Sequence, residues 1–338
     1  MIISDFIDRL RGGQHLTLDE MSAVIDALMQ GQCPEQETGD LLLALRAKGE
    51  TVEEIAGAAL ALRKHMTRIR TSRSGVLDTC GTGGDASGTF NISTGAALVA
   101  AAAGVPVAKH GNRSVTSKSG SADVLAALGV EIQAPVEVVE RCLEQVGICF
   151  CFAPLLHPSM RHVAPVRKRL GVPTIFNLLG PLCNPAAAPY QLLGVGRPAL
   201  RPLLAAALQR LDAQRAVVVS GRDGLDEVTL AGETQVSEVT PQGAHETAWA
   251  PTSFGLPRGD LDSLRVDGPE ASAAMIRQVL AGQSGPARDI VVINAAAGLW
   301  TARRADSLRQ CAALAAAALD SGAAKRLLAD LAEVSHER

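Results

Sequence analysis

Residues 1–66 carry apolar side chains at three- and four-residue spacing. Met21, Val24, Ile25 and Leu28 form one stripe and Leu41, Leu42 and Leu45 another, the period of helices that bury a single face. Thr17 with Glu20, and Thr51 with Glu54, stand three residues apart. That is the spacing of a capping box, in which hydroxyl and carboxylate satisfy orphan amides at a helix start. Gly31, Pro34 and Gly49 punctuate between the stripes. The segment predicts a small helical bundle whose apolar faces must dock on something else, a partner subunit being one candidate.

From residue 76 the pattern changes. Short β-type runs at 76–80 (VLDTC), 105–110 (VPVAKH), 148–152 (ICFCF), 190–195 (YQLLGV), 215–220 (RAVVVS) and 289–294 (DIVVIN) alternate with alanine-rich helical stretches. The fold class expected is α/β: a small N-terminal α-helical domain plus a large α/β domain with a mostly parallel central sheet flanked by helices. The domains fall at 1–70, joined by a mid-chain segment near 162–185, and at 71–338. Ligands in open sheets of this kind lie beyond the carboxyl ends of the strands. Two polar loops sit there: DTCGTGGDASGTFNISTG, starting at Asp78, and KHGNRSVTSKSG, Lys109 to Gly120.

Composition narrows the ligand. A chain of 338 residues with 47% hydrophobic content builds a sizeable core, and a net charge of -3 gives no overall field to draw nucleic acid or an anionic membrane. Any anion site is therefore local, which favours a small molecule. Seven cysteines without a CxxC pair suggest a reducing compartment. No stretch approaches the roughly 18 apolar residues of a membrane span, and the N-terminal residues lack a signal-type apolar region, so the expected location is the cytoplasm.

The glycines of Gly81-Thr-Gly-Gly-Asp85 let backbone amides approach a ligand without a Cβ in the way. Asn91-Ile-Ser-Thr94 then opens an alanine-rich helix whose first turn offers unpaired N–H groups and the positive end of a dipole. The stretch Lys109–Gly120 has no apolar period and reads as a loop, either a solvated connection or a clamp around an anion. Ser121 starts a second helix and is placed to cap it. Two anion-friendly helix starts, each preceded by an unusual polar loop, point to phosphate. Phosphate brings magnesium, which takes hard oxygen ligands, and Asp226 with Glu227 follow the run 215–220. His157 and the cations Arg161, Arg167, Lys168 and Arg169 are either surface groups or pocket groups. An arginine in a pocket would pair with a carboxylate, and spacing alone does not select which one. Walker A, GxSxG and zinc-ligand patterns are missing.

GTGGD with NIST, KHGNRS followed by SKSGSAD, the block HPSMRHVAPVRKRLGVPTIFNLLGPLCNP, and DGLDE, in this order over nearly the whole chain, resemble the anthranilate phosphoribosyltransferase family. The resemblance implies a transferase of tryptophan biosynthesis that moves the phosphoribosyl group of 5-phosphoribosyl 1-diphosphate to the amine of anthranilate and releases diphosphate. It implies donor contacts from Gly81, Gly84, Asp85, Thr89, Asn91, Ile92, Ser93 and Thr94, and from Lys109, His110, Gly111, Asn112, Arg113, Ser114, Val115, Thr116, Ser117 and Ser121. Anthranilate would meet Gly81, Asn112 and Arg167, with His110 and His157 nearby. Mg2+, two ions per site, would sit on Ser93, Asp226 and Glu227, and a homodimer would form through the helical domain. No acid or base is assigned. Ala86 departs from the pattern, standing where glycine is expected. Related alternatives are a pyrimidine-nucleoside phosphorylase and a non-catalytic nucleic-acid-binding relative.

Overall fold

The computed structural model describes residues 3–114 and 119–337. Helices α1 (Ile3–Arg11), α2 (Leu18–Met29), α3 (Glu35–Lys48) and α4 (Val52–Lys64) form the N-terminal bundle. Both expected capping boxes are made. Thr17 Oγ1 accepts from Glu20 N at 3.2 Å while Thr17 N donates to Glu20 Oε2 at 2.9 Å, and Thr51 and Glu54 repeat the exchange at 3.3 and 2.8 Å. Glu54 is fully buried, and it also accepts from Leu16 N at 3.0 Å and Lys48 Nζ at 2.8 Å. One carboxylate thus ties α4 to the segments before α2 and after α3.

The sheet has seven strands: β1 (Leu77–Gly81), β2 (Val107–Gly111), β3 (Ile148–Phe152), β4 (Tyr190–Gly194), β5 (Arg215–Gly221), β6 (Thr234–Thr240) and β7 (Gly243–Trp249), in the order β3-β2-β1-β4-β5-β6-β7. The first five are parallel; β5–β6 and β6–β7 are antiparallel. Period-2 alternation sends neighbouring residues to opposite faces. Leu192, Val217 and Val219 join the core built with α5 (Ile92–Ala102), whereas Leu193, Val218 and Val239 join the core of α2 and α4. Val163, Ile175, Phe176 and Leu179 of the proline-rich mid-chain also enter this second core.

Three expectations change. The run 289–294 is not a strand but lies inside the helix Pro286–Thr301, buried on nearly all sides. An unbroken apolar run suits a buried helix as well as a buried strand, and Pro286 at its first turn with the alanines after it carries the helical choice. The hairpin β6–β7 has no counterpart among the β-type runs, because its outer strand is largely exposed and carries His245 and Glu246 rather than an apolar pattern. Finally, the run 105–110 does form a strand, but β2 extends to Gly111, so the loop expected from Lys109 starts only at Asn112.

Candidate functional site

Chain order reverses at β1: β2 and β3 lie on one side and β4 and β5 on the other. Strands β1 and β4 stay paired to their ends, Gly81 with Gly194, and the loops that follow them border a crevice, the place where open α/β sheets bind ligands. Gly81 ends β1 and Gly194 ends β4, and both pack against Asp226. A Cβ on Gly81 would lie 2.6 Å from Asp226 Oδ2, and one on Gly194 only 1.6 Å from the Asp226 carbonyl oxygen. The loop between them turns through positive φ at Gly83 (66°), Gly84 (77°) and Ala86 (56°). Ala86, where the resemblance leads one to expect glycine, takes a left-handed conformation that favours glycine, at a cost of roughly 1–2 kcal/mol.

Asp226 accepts from Gly83 N at 3.0 Å and lies beside Asp85. Burial, with the Asp85 charge next, raises its carboxyl to about 7. Glu227 is pushed well above the usual carboxylate range by burial and then by Asp226. Such a like-charged pair is relieved by a cation. The cation within the fold is Lys109, whose Nζ donates to Thr79 O at 2.6 Å and Ser93 Oγ at 3.1 Å. Burial lowers its ammonium while Asp78, Cys80, Glu227 and Asp226 oppose that effect. Behind the pair, Asn294 of the helix Pro286–Thr301 clamps the acid loop: its Nδ2 donates to Val228 O at 2.9 Å and its Oδ1 accepts from Val228 N at 2.8 Å.

The basic loop is closed at its neck by an acid. Asp123, in the helix α6 (Ser121–Ala127), accepts from Arg113 Nη1 at 3.0 Å, Ser114 N at 3.1 Å and Gly120 N at 3.2 Å. The first turn of α6 is thus capped by Asp123, and Ser121 Oγ instead faces the Asn112 carbonyl at 3.4 Å. Asn91 links the two loops, because its Oδ1 accepts from Ser119 Oγ at 2.8 Å and Ser272 Oγ at 2.9 Å.

At the other end of the crevice Arg167, on the helix Ala164–Leu170, stacks over Phe176 at 5.5 Å. Burial lowers its guanidinium, and it has no ion pair among the described residues. A cation so placed is ready for a carboxylate from a ligand. Arg169, by contrast, pairs with Glu35 at the surface, and Arg161 and Lys168 are exposed. His110 Nδ1 donates to Gly180 O at 3.0 Å, so its Nε2 is left to accept from His157 Nε2 at 3.2 Å. Burial holds His110 down to about 4 and His157 to about 3, which keeps both rings neutral.

Most of these groups line one cleft of about 450 Å3, and the others support its walls. Of the residues singled out from the sequence it brings together Gly81, Gly84, Asp85, Thr89, Asn91, Ile92 and Ser93, then His110, Lys109, Gly111, Asn112, Arg113, Ser114 and Ser121, and also Arg167, Asp226 and Glu227. Thr94 is fully buried behind the lining, and His157 reaches the cleft only through His110. Val115, Thr116 and Ser117 lie outside the described residues. Sequence reasoning missed Asn177, Gly180 and Pro181, which line the cleft, and Asp123 and Asn294, which hold its loops. The dense NLLGP segment was the available signal for the first three.

A model of the glycosyl transferase family a/b domain matches residues 73–325, and one of the glycosyl transferase family helical bundle domain matches residues 4–66. An anthranilate phosphoribosyltransferase of Rhodopirellula baltica is 52% identical over 330 residues, covering 98% of this chain and 96% of that protein. The crystal structure of the same enzyme from Thermus thermophilus superposes with a TM-score of 0.92 at 46% identity, covering 98% of this chain and 99% of that one. The Saccharomyces cerevisiae enzyme in complex with PRPP and Mg superposes with a TM-score of 0.89 at 29% identity, over 98% and 97%.

Proposed function

This chain belongs to the anthranilate phosphoribosyltransferase family, and from that premise we propose how its cleft residues divide the work. The reaction carries the 5-phosphoribosyl group of 5-phosphoribosyl 1-diphosphate to the amine of anthranilate, giving N-(5-phosphoribosyl)anthranilate and diphosphate.

The observation that carries the assignment of roles is the order of groups along one cleft. Backbone amides and the buried acid pair stand at the α5 end, and the unpaired Arg167 guanidinium stands at the other. The amides of Gly84 and Asp85, with the positive end of α5, bind the donor's phosphates, helped by Arg113 and the loop after β2. Asp226, Glu227 and Ser93 offer hard oxygens in a place where two buried carboxylates lack enough positive charge, so they fit Mg2+, at two ions per site. When bound, that ion supplies Lewis-acid stabilisation of the charge developing on the departing diphosphate. Lys109 positions Ser93 and lowers the field of the acids. Arg167 holds the anthranilate carboxylate, and Asn112 and Gly81 border its ring. Because the His110–His157 pair is neutral and committed to Gly180, it shapes the acceptor site rather than taking a proton. An uncharged aryl amine needs alignment more than activation, and alignment contributes up to roughly 7–11 kcal/mol.

Residues 1–70, joined by the mid-chain segment near 162–185, form the small domain in this reading, and the rest of 71–338 forms the large one. A homodimer through the helical bundle is consistent with its exposed Leu43, and seven free cysteines fit a reducing cytoplasm. Sedimentation of the chain lacking 1–66 tests the dimer, and a persisting dimer refutes that surface. The function itself is tested by following anthranilate fluorescence. It should be consumed only with both donor and magnesium present, and no consumption in their presence overturns the assignment.

A further inference from the structure

A second cavity, of about 330 Å3, opens on the far side of Pro181, between the end of α4, the end of the helix Arg201–Arg210 and the chain around 184–191. Its volume is within the roughly 300–1,000 Å3 of small-molecule sites. Its lining combines two chemistries. Arg63 and Arg68 supply positive charge; Arg63 is fixed by donating Nε to Leu182 O at 2.8 Å, and neither arginine forms an ion pair among the described residues. Met66, Leu208 and Leu211 supply an apolar wall. The deep end is built of buried polar groups that are already satisfied. Gln191 Nε2 donates to Asp78 Oδ2 at 3.3 Å and also bonds the Pro181 carbonyl, while Asn184 Nδ2 donates to Ala108 O at 2.8 Å. Of the two acids in the lining, Asp78 is held by Gln191 and by His110 N at 3.2 Å, with burial raising its carboxyl, and Asp212 is exposed without an ion pair among the described residues.

We propose that this cavity is a second ligand site, separate from the catalytic cleft, that binds a small carboxylate with a compact apolar body. The carboxylate pairs with Arg63 and Arg68, and the apolar body lies on Met66 and Leu208. A bare phosphate would leave the apolar wall unused, and a hydrocarbon would leave the arginines unpaired. Pro181 walls both cavities, so the second site sits directly against the first.

The test is calorimetric titration of the full chain with benzoate, with neutral benzamide as the control. Two benzoate binding events are expected, one in each cavity, and none of comparable strength with benzamide. Arg167→Ala removes the cleft event, so the role of Arg167 is judged separately from this proposal. Arg68→Gln should weaken the other event at least tenfold while leaving turnover unchanged. Ala188→Phe, which adds bulk to the cavity lining, should do the same. A single event that vanishes in Arg167→Ala, or a second event unaltered in both Arg68→Gln and Ala188→Phe, overturns the proposal.

Discussion

Replacing Gly194 by alanine tests the geometry of the cleft with one methyl group. The new Cβ would stand 1.6 Å from the Asp226 carbonyl oxygen and 2.6 Å from its carbonyl carbon. Both atoms are backbone, so no rotamer relieves the overlap, and reaching even 3.0 Å moves the loop by at least 1.4 Å. Gly194 is fixed from the other side by pairing with Gly81 and Val219, so the Asp226–Glu227 loop is the part that yields. Overpacking of this kind costs about 1–3 kcal/mol of stability, which the two large cores absorb. A displacement near 1 Å at a reacting centre costs about a hundredfold in rate. Gly194→Ala should therefore remain folded by circular dichroism yet lose about a hundredfold in kcat, with a higher magnesium requirement. Gly232→Ala, where a Cβ meets nothing within 4 Å, serves as the control and should behave as wild type. Wild-type kcat and magnesium dependence in Gly194→Ala would refute the argument that this contact sets the position of the acids.

Arg167→Ala should raise the KM for anthranilate roughly tenfold to a hundredfold, the about 1.5–3 kcal/mol of a charged hydrogen bond, with little change in the KM for donor; steady-state kinetics in both substrates decide it. Asn294→Leu frees the acid loop from its clamp and should lower kcat and weaken magnesium dependence toward higher concentrations, while an unaltered magnesium titration would argue against a positioning role. His110 is held at about 4 against an ordinary 6.5. The unfolded chain therefore binds the extra proton first as pH falls, and stability that is full above about pH 6.5 is lost by about 3 kcal/mol on approaching pH 4. Urea unfolding across that window should show a flatter slope for His110→Asn, and identical slopes would count against burial as the cause. Glu54→Ala strands Lys48 in the bundle and should cost about 3–5 kcal/mol in denaturant unfolding.

Local chemistry was the most legible part of the sequence. Capping boxes are decided within four residues, and Thr17–Glu20 and Thr51–Glu54 form as their spacing requires. The glycine loop and the acid pair were also readable, because each follows a strand and carries residues that a plain connection does not need. Long-range partners were not. Asn294 lies 66 residues from Val228, and nothing near it in the chain announces a bond to the acid loop. Its own helix reads equally well as a strand, since a segment buried on every side loses the period that separates the two. Likewise Lys109 reads as a loop cation, although its ammonium is buried against Thr79 and Ser93. Only the fold reveals which of the many cations faces the buried acids and which, like Lys168, lies exposed at the surface.

The core shared between α2, α4 and the strands β4 and β5 has a bearing on how the molecule is made. The bundle leaves the ribosome long before the strands that will cover it, so its apolar stripes wait exposed until the middle of the chain is translated. Such distant pairings slow assembly and leave a nascent chain open to aggregation. The N-terminal segment is therefore where a chaperone has most to shield during synthesis.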